Sequence, residues 1–195
     1  MPRDSLSTAY LLRGFRFVML VLALLTLPAG RAASGSTFDE YRVKAAFLYN
    51  FFKFIDWPDD AALKDEKELV LGVADPAPFK GTLEALDGRQ VGKRRLRVLV
   101  IRTVTDAKDC HLVYLNHPDK TRGQRLLVAL QAYSVVTVGE RPGFLQTGGM
   151  IRLFRDGVNI RFAINRKAIQ ESRVEISSHL LKLAQNEPGT AGGAR

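Results

Sequence analysis

Between residues 69 and 138, short apolar runs alternate with amphipathic stretches, and this rhythm limits the chain to few architectures. Runs at 69–74, 96–101, 111–115 and 135–138 have strand character, while 79–86 and 122–131 carry helical spacing. Strands separated by helices of that length predict a largely parallel sheet covered on both faces, a doubly wound α/β core. Near residue 150 the rhythm changes. Runs at 150–154 and 158–164 flank Arg155-Asp156-Gly157, a turn signal that predicts an antiparallel hairpin and makes the sheet mixed. In the second run Val158, Ile160, Phe162 and Ile164 alternate with Asn159, Arg161, Ala163 and Asn165, which puts Arg161 and Asn165 on one polar side. A short helix over 166–172 and a mixed run over 175–184 complete a single-domain layered sandwich, its sheet flanked by helices.

Ahead of this core, Arg3, Arg13 and Arg16 precede an apolar run over residues 17–27, and Pro28 and small residues end it. That is the pattern of a secretory signal, and it falls short of the roughly 20 apolar residues a membrane-spanning helix needs. A leader over 1–32 is expected to be removed on export to the periplasm. It leaves an α/β domain over 33–186 and a Gly-rich tail at 187–195 that should be disordered. Taking 32 from 195 residues leaves 163, enough for one domain with its own core. The leader holds four of the 29 Lys and Arg and one of the 20 Asp and Glu, so the mature chain carries 25 against 19, a net +6. Such moderate basicity suits acidic partners or anionic surfaces, in a compartment where nucleic acid is scarce.

The chemical inventory is thin. Cys110 is the only cysteine, so no internal disulfide forms, and its apolar setting predicts a buried thiol. Cys110 and His111 are strand neighbours on opposite faces and cannot chelate a metal together with His117. The chain has no His-Glu-x-x-His, no Gly-x-Ser-x-Gly and no pair of Cys-x-x-Cys motifs. No metal, cofactor or catalytic group is predicted, with a Cys110 and His179 dyad left as the enzymatic alternative. Gly148-Gly149 lacks the surroundings of a phosphate cradle and reads as a turn into the next strand. Lys93, Arg94, Arg95 and Arg97 read as the solvated start of a strand, because no aromatic residue interleaves the charges.

The strongest single feature is an aromatic helix. Thr37 and Glu40 have capping-box spacing, and Tyr41, Ala45, Leu48, Phe52 and Ile55 recur at helical intervals over 38–55. Pro58 disfavours helical geometry at Trp57 and closes the element ahead of a polar connection over 59–68. Phe47, Phe51 and Phe54 widen the apolar stripe, and a helix so apolar is covered on more than one side. A second subunit is one candidate for that cover.

Three blocks of the chain resemble the YfiR-like family of periplasmic proteins. They are Tyr41-Arg42-Val43-Lys44-Ala45-Ala46-Phe47-Leu48-Tyr49-Asn50-Phe51 to Asp56-Trp57-Pro58; Cys110-His111-Leu112-Val113-Tyr114-Leu115; and Gly148-Gly149-Met150-Ile151 through Arg161-Phe162-Ala163-Ile164-Asn165 to a stretch over 176–184. The resemblance implies an α/β sandwich, dimeric, that regulates rather than catalyses. It implies binding to the periplasmic sensor domain of a membrane diguanylate cyclase, lowered cyclic di-GMP output, control of biofilm or motility, and release when an outer-membrane lipoprotein sequesters the repressor. Small-molecule binding is also implied. Family members under redox control carry more cysteines, so internal redox switching is not expected with Cys110 alone.

On this reading the partner surface is expected at Lys44, Phe51, Phe54 and Trp57 of the first helix. A ligand pocket is expected at Arg161, Asn165, Ser177 and His179, with Arg161 pairing a carboxylate or phosphate and the others bonding polar edges. An alternative is that Arg161 and Asn165 only tie their strand to the following helix. Other readings are a periplasmic small-molecule-binding protein serving another membrane sensor or a transporter, and a thiol enzyme built on Cys110 and His179.

Overall fold

The computed structural model describes residues 36–58 and 67–186. The expected leader, the tail at 187–195 and most of the polar connection after Trp57 lie outside the described residues. Helix α1 (Ser36–Phe51) already contains Thr37, so Thr37 is not its N-cap. The helix also ends four residues before Ile55. Single turns, with Lys53 N–H bonding Asn50 O and Phe54 N–H bonding Phe51 O, lead into β1 (Ile55–Asp56). That strand pairs antiparallel with β9 (Glu175–Ile176), far away in sequence, and this pairing overrides the helical periodicity.

The alternation places β2 (Glu68–Val73), β4 (Arg94–Val100), β5 (Leu112–Tyr114) and β6 (Val136–Gly139) where the runs predicted strands. The hairpin follows as β7 (Ile151–Asp156) and β8 (Asn159–Ile164). With β3 (Gln90–Val91) these make one seven-stranded sheet of order β3-β4-β2-β5-β6-β7-β8. The five inner strands are parallel and the two edges antiparallel. The inner order, with the second parallel strand outside the first and the rest on its other side, is that of a doubly wound sheet.

Alternate residues of each strand feed two cores. Leu69, Leu71, Leu112, Tyr114, Val136, Val138, Ile151 and Leu153 pack on one face under Leu48 and Phe51 of α1 and Phe52 just beyond it. Val70, Val113 and Val135 face the other way, against Leu126, Leu127 and Leu130 of α3 (Lys120–Leu130). A one-turn helix α2 (Val104–Lys108), not read from the sequence, carries a capping box between Thr103 and Asp106. The sequence signal was present, with Asp in the place usually held by Glu or Gln.

The helix expected over 79–86 is a 3-10 turn, Ala77–Phe79, followed by successive turns. Lys80 (φ 46°) and Gly81 (φ 85°) are left-handed, which stops propagation while Phe79, Leu83 and Leu86 still reach the core. In the hairpin, Gly157 (φ 59°) and Val158 form the two-residue turn, so Val158 is 93% exposed and outside the core. Ala163, on the side read as polar, is buried. The chain closes with α4 (Arg166–Glu171) and α5 (Ser178–Leu183). No helix among the described residues is long and apolar enough to cross a membrane.

Candidate functional site

Doubly wound sheets bind ligands beyond the carboxyl ends of the strands, at the switch point between the first strand and the third. Here that position lies between β2 and β5, and the chain fills it. Tyr114 ends β5, and its hydroxyl bonds the Glu140 carboxylate just after β6. Lys44 of α1 lies between Glu140 (2.7 Å) and Glu40 (2.5 Å), with its ammonium 4.2 Å from the Tyr41 ring centroid. Tyr41 meets Phe79 edge-on at 5.0 Å, and Phe79 meets Tyr114 at 5.2 Å. Burial works against the Lys44 ammonium, but its bonds to Glu140 and Glu40 outweigh that and hold its pKa above the lysine range. Burial pushes the Glu140 carboxyl upward against the same lysine. One ammonium between two carboxylates favours the lysine direction, a charged pair at neutral pH.

The opposite end of the sheet, at the amino ends of the strands, is open among the described residues. Trp57 sits there on Phe52 (5.6 Å, 32°) and meets His111 edge-on (5.3 Å, 83°), while its Nε1 donates to His111 O at 2.9 Å. His111 is 2% exposed, and its Nδ1 accepts from Val70 N–H at 3.0 Å, which fixes a neutral tautomer. Burial, with help from the Arg94 charge, pulls its pKa down to about 4. Beside these rings lies a cleft of about 580 Å³. Phe52, Ile55, Trp57, Leu69 and Val91 line it together with Lys53, Asp56, Lys93 and Arg94.

The expected partner residues divide into two pairs. Lys44 and Phe51 are 2% and 1% exposed and cannot form a contact surface. Lys44 is held by its two carboxylates, and Phe51 packs on Phe47 and Phe162. Strand β8 of the same chain therefore supplies the second cover that the wide apolar stripe called for. Phe54 and Trp57 stay half-buried.

The expected ligand residues are not one pocket. Arg161 is exposed and faces Asp156 across the hairpin at 3.7 Å. Asn165 caps α4, accepting from Ala168 N–H at 3.1 Å and donating to Leu145 O at 2.9 Å. Asn165 thus ties the end of β8 to α4 and to Leu145, whereas Arg161 only pairs with Asp156 of its own hairpin. Ser177 caps α5, its hydroxyl accepting from Leu180 N–H, and its own N–H bonds Phe54 O at 2.9 Å. His179 on α5 stacks on Phe54 at 5.5 Å. The structure thus joins Phe54, Ser177 and His179, taken from both sets. Lys93 and Arg94 read as a solvated strand start because the aromatics beside them, Phe52 and Trp57, come from the segment after α1, which also supplies Lys53, and not from their own stretch of chain.

Gly148-Gly149 is a packing device. Gly148 has φ 96°, and the Phe144 ring lies so close to Gly149 and Gly139 that neither has room for a Cβ. Cys110 is fully buried with its Sγ 3.3 Å from Asp106 O, and burial with the neighbouring Asp109 and Asp106 charges pushes its pKa up to about 12.

Residues 41–185 match the family model described as YfiR/HmsC-like. The chain belongs to the YfiR/HmsC-like family. The match takes in α1 from Tyr41 onward, the whole sheet and the cleft. No curated protein sequence matches the chain. Among solved structures it is similar to a conserved domain protein of Vibrio cholerae O1 biovar eltor, at 13% identity and a TM-score of 0.46. That likeness covers 74% of this chain and 59% of the other. It is too distant to add to the family assignment.

Proposed function

We propose that this YfiR/HmsC-like protein is an exported regulator that docks on the periplasmic sensor domain of a membrane diguanylate cyclase and lowers cyclic di-GMP output. The observation that carries the reading is the family match over 41–185. The docking surface would centre on Phe54, Trp57 and His179, with Leu183 one helical turn beyond His179 and 51% exposed. Repression would be a population shift. Binding that favours one sensor arrangement by a few kcal/mol holds the output domain inactive. The regulator would work as a homodimer, released when an outer-membrane lipoprotein competes for it. Against the thiol-enzyme alternative stands Cys110, a buried thiol that is not ionised near neutral pH.

The test is capture of membrane proteins by the mature protein from detergent-solubilised inner membranes, with cyclic di-GMP measured in cells lacking or overproducing it. A captured diguanylate cyclase, with cyclic di-GMP raised in the deletion, supports the reading. Capture of transporter subunits with unchanged cyclic di-GMP would move it to a small-molecule-binding role.

A further inference from the structure

The basic run at the start of β4 gains in three dimensions what it lacks in sequence. Val91 pairs with Arg94, so Gly92 (φ 59°) and Lys93 form the tip of a two-residue hairpin turn. The turn brings Lys93 and Arg94 to the mouth of the cleft in which Trp57 and Phe52 form an aromatic wall. Lys53 adds a third cation on the α1 side, its ammonium 2.9 Å from Asn50 Oδ1 and 4.5 Å from the Tyr49 ring centroid. Among the described residues, Asp56 is the only carboxylate in the lining. No ion pair engages Lys93 or Arg94 among the described residues. An exposed Lys93 and a half-buried Arg94, neither in an ion pair among the described residues, stand beside an apolar wall and are complementary to an anion that also carries an apolar group.

We propose that this cleft binds a small organic anion with a flat ring, its charge on Arg94 and Lys93 and its ring against Trp57. About 580 Å³ is within the usual range for small-molecule sites. The location also follows from the rest of the fold. The crevice at the carboxyl ends of the strands is closed by Tyr41, Lys44, Tyr114 and Glu140, whereas the amino-end cleft, among the described residues, has an open mouth and a rigid floor. His111 supplies that rigidity by binding Val70 N–H through its ring and Trp57 Nε1 through its carbonyl. The site is separate from Arg161, Asn165, Ser177 and His179, and it does not depend on which membrane protein the regulator serves.

Trp57 is the only tryptophan, so its emission reports on the cleft directly. The full chain is titrated with phenyl phosphate, with phenol as the ring lacking charge and inorganic phosphate as the charge lacking a ring. Equilibrium dialysis runs alongside to register binding that leaves the emission unchanged. Phenyl phosphate should bind saturably and at least about tenfold more tightly than either control. Arg94→Gln and Lys93→Gln should each weaken it by about tenfold, the loss of one charge-assisted hydrogen bond. Lys93 lies at an exposed turn, so its variant should keep the wild-type melting temperature and separate lost binding from lost folding. No saturable binding by either method, or equal affinity in both variants and the wild type, would overturn the proposal.

Discussion

Lys44 illustrates how far a side chain's surroundings can depart from its character in sequence. A lysine in the first helix reads as a surface cation, yet it is 2% exposed and tethers α1 to the carboxyl ends of the strands. Replacing one partner of a buried ion pair leaves the other charge uncompensated. Lys44→Met should therefore lower stability by about 3–5 kcal/mol, read from urea unfolding, and Lys44→Met with Glu140→Leu should recover most of it. His111 makes a different prediction. Unfolded, it takes a proton near its ordinary value of 6.5; folded, it does so only near about 4, because burial and then the Arg94 charge disfavour the imidazolium. The unfolded state thus binds more protons between those values, and stability falls as pH drops from 6.5 towards 4, by on the order of 3 kcal/mol. Asn keeps an acceptor for Val70 N–H without titrating, so His111→Asn should flatten the slope between unfolding curves at pH 7 and pH 4.5.

Among the elements, the turn between β6 and β7 carries the tightest packing. Phe144 closes over Gly139 at the end of β6 and Gly149 at the approach to β7, and a Cβ on Gly139 would stand 2.6 Å from its ring. Backbone holds the ring in place, since Gly149 N–H bonds Phe144 O at 2.9 Å. Gly139→Ala should cost about 1–3 kcal/mol by overpacking, seen as a lower melting temperature, with part of the loss recovered by adding Phe144→Leu. Helix α1 makes the complementary point about length. Its apolar spacing continues to Ile55, but the backbone of Ile55 and Asp56 pairs with Ile176 and Glu175, and the helix gives way to a two-residue ribbon. That ribbon places Phe54 against His179 and turns Trp57 into the cleft.

In the whole molecule, residues close together at the end of α1 and just beyond it have opposite fates. Phe51 lies in the main core against Phe162, whereas Phe54 is half-buried at the surface beside His179. Phe51→Glu should bury an unpaired charge and abolish cooperative unfolding. Phe54→Glu should stay within about 2 kcal/mol of wild type and lose capture of the membrane partner. Circular-dichroism melts and the capture assay check both. The period of the apolar residues determined the α/β class, the parallel core and the terminal hairpin, because a strand or helix must turn its apolar side inward whatever it packs against. The same period could not say that the second cover of α1 is β8, that Val158 sits at a turn tip, or that Arg161 and Asn165 serve their own hairpin and cap. Nor could it assemble the cleft. Its aromatic wall and its cations Lys93 and Arg94 come from segments about 40 residues apart, and only the pairing of β1 with β9 and the β3–β4 turn bring them together.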